Sequence, residues 1–448
     1  MTSPAGSRPH GLWDPTAEAL GRWDRPFWII ILVSLLLSSG PPLLHCATDP
    51  SWYQVLLRRS NPDFFQDYAS ARNHFNGLDP YAGNDASSDL YLDRTLEPGP
   101  ESFKVNAHPP TSIILFLPLA TLDFSHAFLV WNFFSSALCV VAVALIVRQL
   151  GIPCTIWSFV SLLSLFLLSG AVRDNLLGGQ CSFVLLYLVV IVWAADRSGH
   201  PLLAGGALAL AVSLKLFPCF LFVYFLARRR WSVVWSGILG ICLVCSAAAA
   251  VMGIGVFREY ALEVCPRFAW YVNAWTNSSI PGFLHRLTDT APAIDRQHDR
   301  TTPLVYCPEF AWAATSLSCV ALLFAVVRAA KHAATRNEQD MAFALAVCAM
   351  LLLNPITWPS NLLLLVVPFT ITWREIEESD RRRWFFCRWC LSAWSSRRRP
   401  WTGSSLHGTT RLRLGTPSRF SRSKLMQYWL TPPCSCRSLG DCDDNGEN

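Results

Sequence analysis

PLLAGGALALAVSLKLFPCFLFVYFLARRR, residues 201–230, is an apolar stretch with a single charge inside it, Lys215. Arg197 precedes it, and Arg228, Arg229 and Arg230 close it. Basic residues beside apolar segments mark the cytoplasmic side of a membrane. Both ends of this stretch therefore belong to the cytoplasm, which one straight crossing helix cannot satisfy. The sequence predicts a hairpin broken at Lys215-Leu-Phe-Pro218, with two short halves and a break below the outer surface, in a polar cavity.

The rest of the chain reads the same way. About ten apolar segments fall near 26–45, 127–148, 154–170, 180–195, 201–214, 216–227, 231–256, 309–328, 341–353 and 360–373. The run SIILFLPLATL at 112–122 is too short to span and is expected as a re-entrant or interfacial helix. The fold class is all-α, a polytopic integral membrane protein with the bilayer as partner. Only 15% of the 448 residues are charged, against roughly 25% in soluble domains. The net charge of +6 sits largely in the C-terminal tail, so it belongs to a membrane surface and not to nucleic acid. Residues 1–25 form a cytoplasmic N-terminus and 26–373 the membrane domain, with a first outer loop at 47–126. Residues 374–448 form a basic tail, read as disordered or as the product of a shifted reading frame. CRWC at 387–390 with Cys434, Cys436 and Cys442 is a poorly spaced metal motif. Cysteines inside apolar runs, Cys181 among them, read as small hydrophobes.

With the basic connections inside, the outer face collects segments 47–126, 171–180, 257–308 and 354–359. Asp63 and Asp67, four apart, share a helix face. One carboxylate can act as base on a hydroxyl while the other orients it or holds a metal; on spacing alone, a solvated acidic loop with N-cap roles is the bland account. His108 before two prolines is either a turn or a phosphate contact. Arg173 can bind a phosphate or pair with Asp174. Gln180 follows two glycines that permit close backbone approach. Lys215 is an ionisable group in an apolar stretch, hence a functional candidate, with snorkelling as the bland account. Trp275 and Asn277 can line a sugar site. Trp358, in NPITWP at 354–359, breaks another apolar pair at the same face.

In order, PDFFQDYASARNHFNGLDPY at 62–81, HPPTSIILFLPLATL at 108–122, GGQCSFVLLYLVV at 178–190, LAGGALALAVSLKLFPCFLFVYFLARRRW at 203–231, NSSIPGFLHRL at 277–287 and NPITWPSNLLLLVVP at 354–368 resemble glycosyltransferase family 87 of the GT-C superfamily. The resemblance implies a GT-C fold and an inverting hexosyltransferase. Its donor is a polyprenyl-phosphate sugar, mannose or another hexose; its acceptor is a glycan or glycolipid. The site would lie on the extracytoplasmic side of the plasma (inner) membrane. It places the catalytic carboxylate, which would deprotonate the acceptor hydroxyl, on Asp63, with Asp67 as the second candidate. It puts Lys215 at the donor phosphate, with Arg173, His108, Gln180, Asn277 and Trp358 as further substrate contacts. No cofactor is implied; a divalent metal is permitted but not required. Family members often carry a His shortly after the Trp of the last stretch, where this chain has Pro359, Ser360 and Asn361. Two other readings stand beside it: a transporter or flippase of a lipid-linked sugar, and a homologue without activity.

Overall fold

The computed structural model describes residues 63–92, 105–152, 169–288 and 304–377. The expected segment 26–45, most of 154–170, the N-terminus 1–25 and the tail from 378 onward lie outside these residues. So does the CRWC motif.

The described residues form helices and no strand. Helix α1 (Asp63–Phe75) opens on Asp63 and closes on Arg72 and His74, charges that suit the helix dipole at each end. It buries Phe64, Phe65 and Tyr68. Short α2 (Asn84–Tyr91) folds beside it. Helix α3 (Pro110–Phe116) starts on a proline at its first position, where the missing N–H costs nothing. It is the short run read as re-entrant or interfacial. Helix α4 (Phe124–Leu150) begins with Asp123 accepting from the His126 backbone N–H at 3.3 Å. Phe64 lies at the centre of an aromatic cluster with Phe116, Phe124, Phe128 and Trp131, ring centroids 5.6–6.2 Å away. Tyr68 also donates to the Leu122 carbonyl at 2.9 Å. The first loop is thereby fastened to the top of α4.

Helices α5 (Gly170–Gly178) and α6 (Ser182–Arg197) meet at an angle of 119°. The break turns on Gly179, whose φ is +61°. A Cβ there would stand 2.6 Å from Phe64 Cβ and 2.8 Å from a Phe128 ring carbon. Only glycine fits both the backbone and the space.

The hairpin expected at 201–227 is present. Helix α7 (Pro201–Leu214) ends on Lys215 in extended conformation. A 3-10 turn (Phe217–Phe220) leads to α8 (Leu221–Ala227). Both ends of the hairpin lie at the C-terminal end of α6. There, Asp196 accepts from Arg228 at 3.1 Å and from Arg230 at 2.8 Å, and Ser236 donates to the Pro201 carbonyl at 3.3 Å. The break reaches the opposite end of α6, where Lys215 bonds Gln180. The two ends of this 16-residue helix are about 24 Å apart. Helix α7 packs on α6 and on α9 (Trp231–Met252). Gly205 lets α7 and α9 close up, since a Cβ there would lie 2.5 Å from the Val233 carbonyl oxygen.

Beyond α9, α10 (Gly255–Glu259) runs into a π turn (Tyr260–Val264) and a 3-10 segment (Cys265–Tyr271). Then come α11 (Ile280–Thr288), α12 (Pro308–His332), α13 (Arg336–Leu353), a 3-10 segment (Pro359–Leu365) and α14 (Val366–Glu377). Helix α13 starts with a capping box between Thr335 and Glu338.

Among the described residues, three helices are long and apolar enough to cross a bilayer: α4, α9 and α12. The bent pair α5–α6 makes up to four. The expectation of about ten spans is therefore reached only in part. The two hairpin arms are short, Pro201–Leu214 and Phe217–Ala227, and α13 carries Arg336, Glu338 and Asp340 near its start.

The first loop also meets the segment after α9. The Tyr81 and Tyr260 rings lie 5.8 Å apart. Burial and then the neighbouring Asp79 carboxylate push the Glu259 carboxyl up to about 7, helped by Glu263 and opposed by Arg267.

Two outcomes follow from these contacts. Gly179→Ala should destabilise the fold by roughly 2–4 kcal/mol, through strain at positive φ and overpacking, read as a lowered unfolding midpoint in detergent. Gly206→Ala, with no atom within 4 Å of the new Cβ, should be neutral or slightly stabilising. The raised Glu259 carboxyl keeps a proton in the folded state that the unfolded chain releases from its ordinary value of 4.5. That contribution is complete below pH 4.5 and is lost as pH rises through about 7. Glu259→Gln should flatten this part of a stability-against-pH curve.

Candidate active site

Four segments far apart in sequence meet at the N-terminal end of α6. They are the start of α1, the α5–α6 break, the end of α7, and the stretch after Trp358. Gln180, buried beside Gly179, joins them. Its amide nitrogen donates to Asp63 Oδ2 in a short contact. Its amide oxygen accepts from Lys215 Nζ at 3.4 Å. Asp63 Oδ1 accepts from Gln66 at 3.2 Å. Asp63 is exposed at the head of α1.

Lys215 is only 8% exposed. Besides Gln180, it donates to Asn361 Oδ1 at 3.3 Å. That oxygen also accepts from Ser182 at 3.2 Å. Among the described residues, no carboxylate lies within ion-pair distance of Lys215. Asn361 falls three residues after Trp358. Asn175 ties α5 to this stretch by donating to the Ser360 carbonyl at 3.1 Å. Thr111 of α3 donates to the Ser213 carbonyl at 2.7 Å, which brings the 108–110 turn beside Lys215.

Asp67, one helical turn after Asp63, has a different environment. It is 1% exposed. Its two oxygens lie 2.8 and 2.9 Å from His108 Nδ1. Asn106 donates to Oδ1 at 3.2 Å, and the Cys181 thiol lies 3.9 Å from Oδ2. The His108 backbone is fixed on both sides. Its N–H donates to Asn106 Oδ1 at 2.9 Å, and the Tyr81 hydroxyl donates to its carbonyl at 2.9 Å. Burial pushes the Tyr81 phenol far above its ordinary range, so it stays a donor. Asp67, His108 and Cys181 together present oxygen, nitrogen and sulfur atoms within 4.8 Å of one another. Among the described residues they form the one such group able to hold a metal. Cys181, whose thiol lies 3.9 Å from Asp67 Oδ2, directly follows Gln180, so the two clusters adjoin.

The structure treats the remaining sequence candidates differently. Arg173 is exposed on α5 and outside this hydrogen-bonded chain. Asn277 is buried, and its amide is taken up by backbone. It donates to the Val272 and Pro355 carbonyls at 2.9 and 2.8 Å, and accepts from Ser279 and Thr357 N–H groups at 3.1 and 2.9 Å. It clamps the 272–279 loop to the 354–357 loop. Trp358 stacks edge-on against Tyr271, with centroids 6.1 Å apart. Asn361 and Cys181 are the residues that sequence reasoning left out of the site. An asparagine where a histidine was awaited carried no signal, and a cysteine at the edge of an apolar run looks like packing.

The profile of glycosyltransferase family 87 matches residues 106–355, more than half of the 448-residue chain. The match includes His108, Gln180, Cys181 and Lys215; α1 with its two aspartates, Trp358 and Asn361 lie outside it. No curated protein and no solved structure matches the chain. On the strength of that profile, the chain belongs to glycosyltransferase family 87 and is a membrane glycosyltransferase.

Proposed function

We propose that the protein moves a hexose, mannose or a relative of it, from a polyprenyl-phosphate donor to a hydroxyl of a glycan or glycolipid. The reaction inverts the anomeric centre and takes place on the extracytoplasmic face of the plasma (inner) membrane. One observation carries this reading: a single amide, Gln180, touches both a carboxylate open to solvent and a buried ammonium.

The roles follow from exposure and charge. Asp63 meets an acceptor arriving from water. Each of its oxygens accepts an amide N–H, which fixes the carboxylate in place. It takes the acceptor proton as the hydroxyl oxygen bonds to the anomeric carbon. The bond from that carbon to the phosphate oxygen breaks, and its electron pair leaves with the polyprenyl phosphate. Lys215 stabilises that developing charge. Its present partners are neutral amide oxygens at 3.3 and 3.4 Å, so a phosphate oxygen offers it a stronger, charge-assisted bond. No metal enters this step. The Arg228–Arg230 end of the hairpin supports the sidedness, because it lies one helix length from Lys215.

Membranes carrying the full chain and a radiolabelled polyprenyl-phosphate hexose test this. Asp63→Asn should lower kcat by about 10²-fold or more with donor KM little changed. Lys215→Gln should raise donor KM by roughly 10- to 100-fold, the value of a charged hydrogen bond. Unchanged transfer by Asp63→Asn, or no label leaving the donor with the native chain, would overturn the assignment. In a cysteine-free background, Asp63→Cys should react with an impermeant thiol reagent from outside. Arg229→Cys should react only after permeabilisation; labelling of both from one side would overturn the sidedness.

A further inference from the structure

We infer that Asp67, His108 and Cys181 form a binding site for a borderline-soft divalent cation, with zinc as the best match. The site anchors the first loop.

The donor chemistry comes first. A carboxylate oxygen, an imidazole nitrogen and a thiol sulfur converge within 4.8 Å from three distant segments: α1, the turn before α3, and the α5–α6 break. Oxygen, nitrogen and sulfur are the donors that zinc accepts together, and three protein ligands with one open position is a common zinc arrangement. Calcium and magnesium want oxygen alone. The distances come close to what zinc needs. Zinc lies about 2.0–2.2 Å from N and O and about 2.3 Å from S, so tetrahedral angles space N and O by roughly 3.3 Å and O and S by roughly 3.5 Å. Here the spacings are 2.8–2.9 Å and 3.9 Å. Movements of about half an ångström bring these two pairs of atoms to the tetrahedral values.

The outer shell is also built. Metal-ligating carboxylates and imidazoles are normally held by further hydrogen bonds. Asn106 bonds Asp67 Oδ1 and also Ser70 Oγ, the latter at 3.0 Å. The same residue, with Tyr81, locks the His108 backbone. Charge favours a cation as well. Asp67 lies 3.9 Å from the Cys181 thiol, and the neighbouring Gln180 bonds Asp63 on one side and the single ammonium of Lys215 on the other. A dication offsets the excess negative charge and the thiolate that forms when the thiol gives up its proton to solvent. Bound there, it ties α1 and the 106–110 turn to the residue next to Gln180.

The test uses the full chain with Cys387, Cys390, Cys434, Cys436 and Cys442 replaced by serine, so that the tail contributes no thiolate. Purified in detergent, loaded with zinc and dialysed, it should hold one zinc per chain by mass spectrometry. Cobalt in its place should show a sulfur-to-cobalt charge-transfer band. Cys181→Ser should abolish the band and weaken zinc binding at least 10-fold, and Asn106→Ala should weaken it roughly 10- to 100-fold. Asp63→Asn should keep the zinc while losing transfer, which separates this inference from the proposed reaction. Absence of both stoichiometric zinc and the cobalt band from the chain with Cys181 intact would overturn it, even where Cys181→Ser fails to fold. A band that survives in folded Cys181→Ser would do the same. Either result would leave Asp67 and His108 as a proton-bridged pair.

Discussion

The site depends on one primary amide standing between two opposite charges. An amide can accept from an ammonium and donate to a carboxylate at the same time. Gln180 does both, toward Lys215 and Asp63. A direct ion pair would neutralise each charge with the other. With the amide between them, the carboxylate keeps its basic oxygens and the ammonium stays short of full compensation. Burying an unpaired charge costs several kcal/mol, and the donor phosphate of the proposed reaction would relieve that cost. The geometry is supplied by Gly179, which alone allows the backbone to turn against Phe64. The Trp131 indole holds the same turn by donating to the Gly179 carbonyl at 2.8 Å.

Helix α6 separates two charge environments. At its start lie the site's amides and charges. At its end, Asp196 bonds Arg228 and Arg230, while Asp340 bonds Arg197 and the Trp193 indole, the latter at 2.8 Å. At that end Arg197 pairs with Asp340, while Arg228 and Arg230 share Asp196. The hairpin spans this distance twice. Its break delivers Lys215 to the site and its two termini to the arginine layer. Discontinuous helices recur wherever a membrane protein holds a polar ligand, because unwound backbone is tolerated only beside a cavity.

Much of this was legible in the sequence, for reasons of charge. A lone lysine among apolar residues and arginines at both ends of a stretch are enough to dictate a hairpin. The convergence of Asp63, Gln180 and Lys215 was legible only as a shared outer face. Their contacts span 117 and 35 residues of sequence separation, and nothing local specifies them. The spacing of Asp63 and Asp67 put them on one helix but could not tell them apart. Burial does: one carboxylate opens to solvent, and the other is enclosed with His108 and Asn106. Asn277 looked like a sugar contact because amides suit hydroxyls, yet the same amide serves equally well to pin two backbone loops. Span counting was the least secure inference, since short apolar runs read alike whether they cross a bilayer or fold back as half a hairpin.

The family match begins at residue 106, so the carboxylate of the proposed reaction comes from a helix outside the matched region while the cation comes from within it. The structure explains how such a division remains rigid. Helix α1 is fixed to the matched part by packing and by side chains that grip backbone. Phe64 fills the aromatic cluster, Tyr68 and Arg72 donate to carbonyls at 120–122, and Asp67 holds His108. Carbonyls at a helix end have no partner within the helix, so those in the short turn after α3 are ready acceptors for a helix docking from outside. The proposed base is thereby placed by contacts that do not involve the proposed reacting groups. Substitutions on the buried face of α1 would misplace Asp63 as effectively as removing it, since an ångström of displacement at a reacting oxygen costs orders of magnitude in rate.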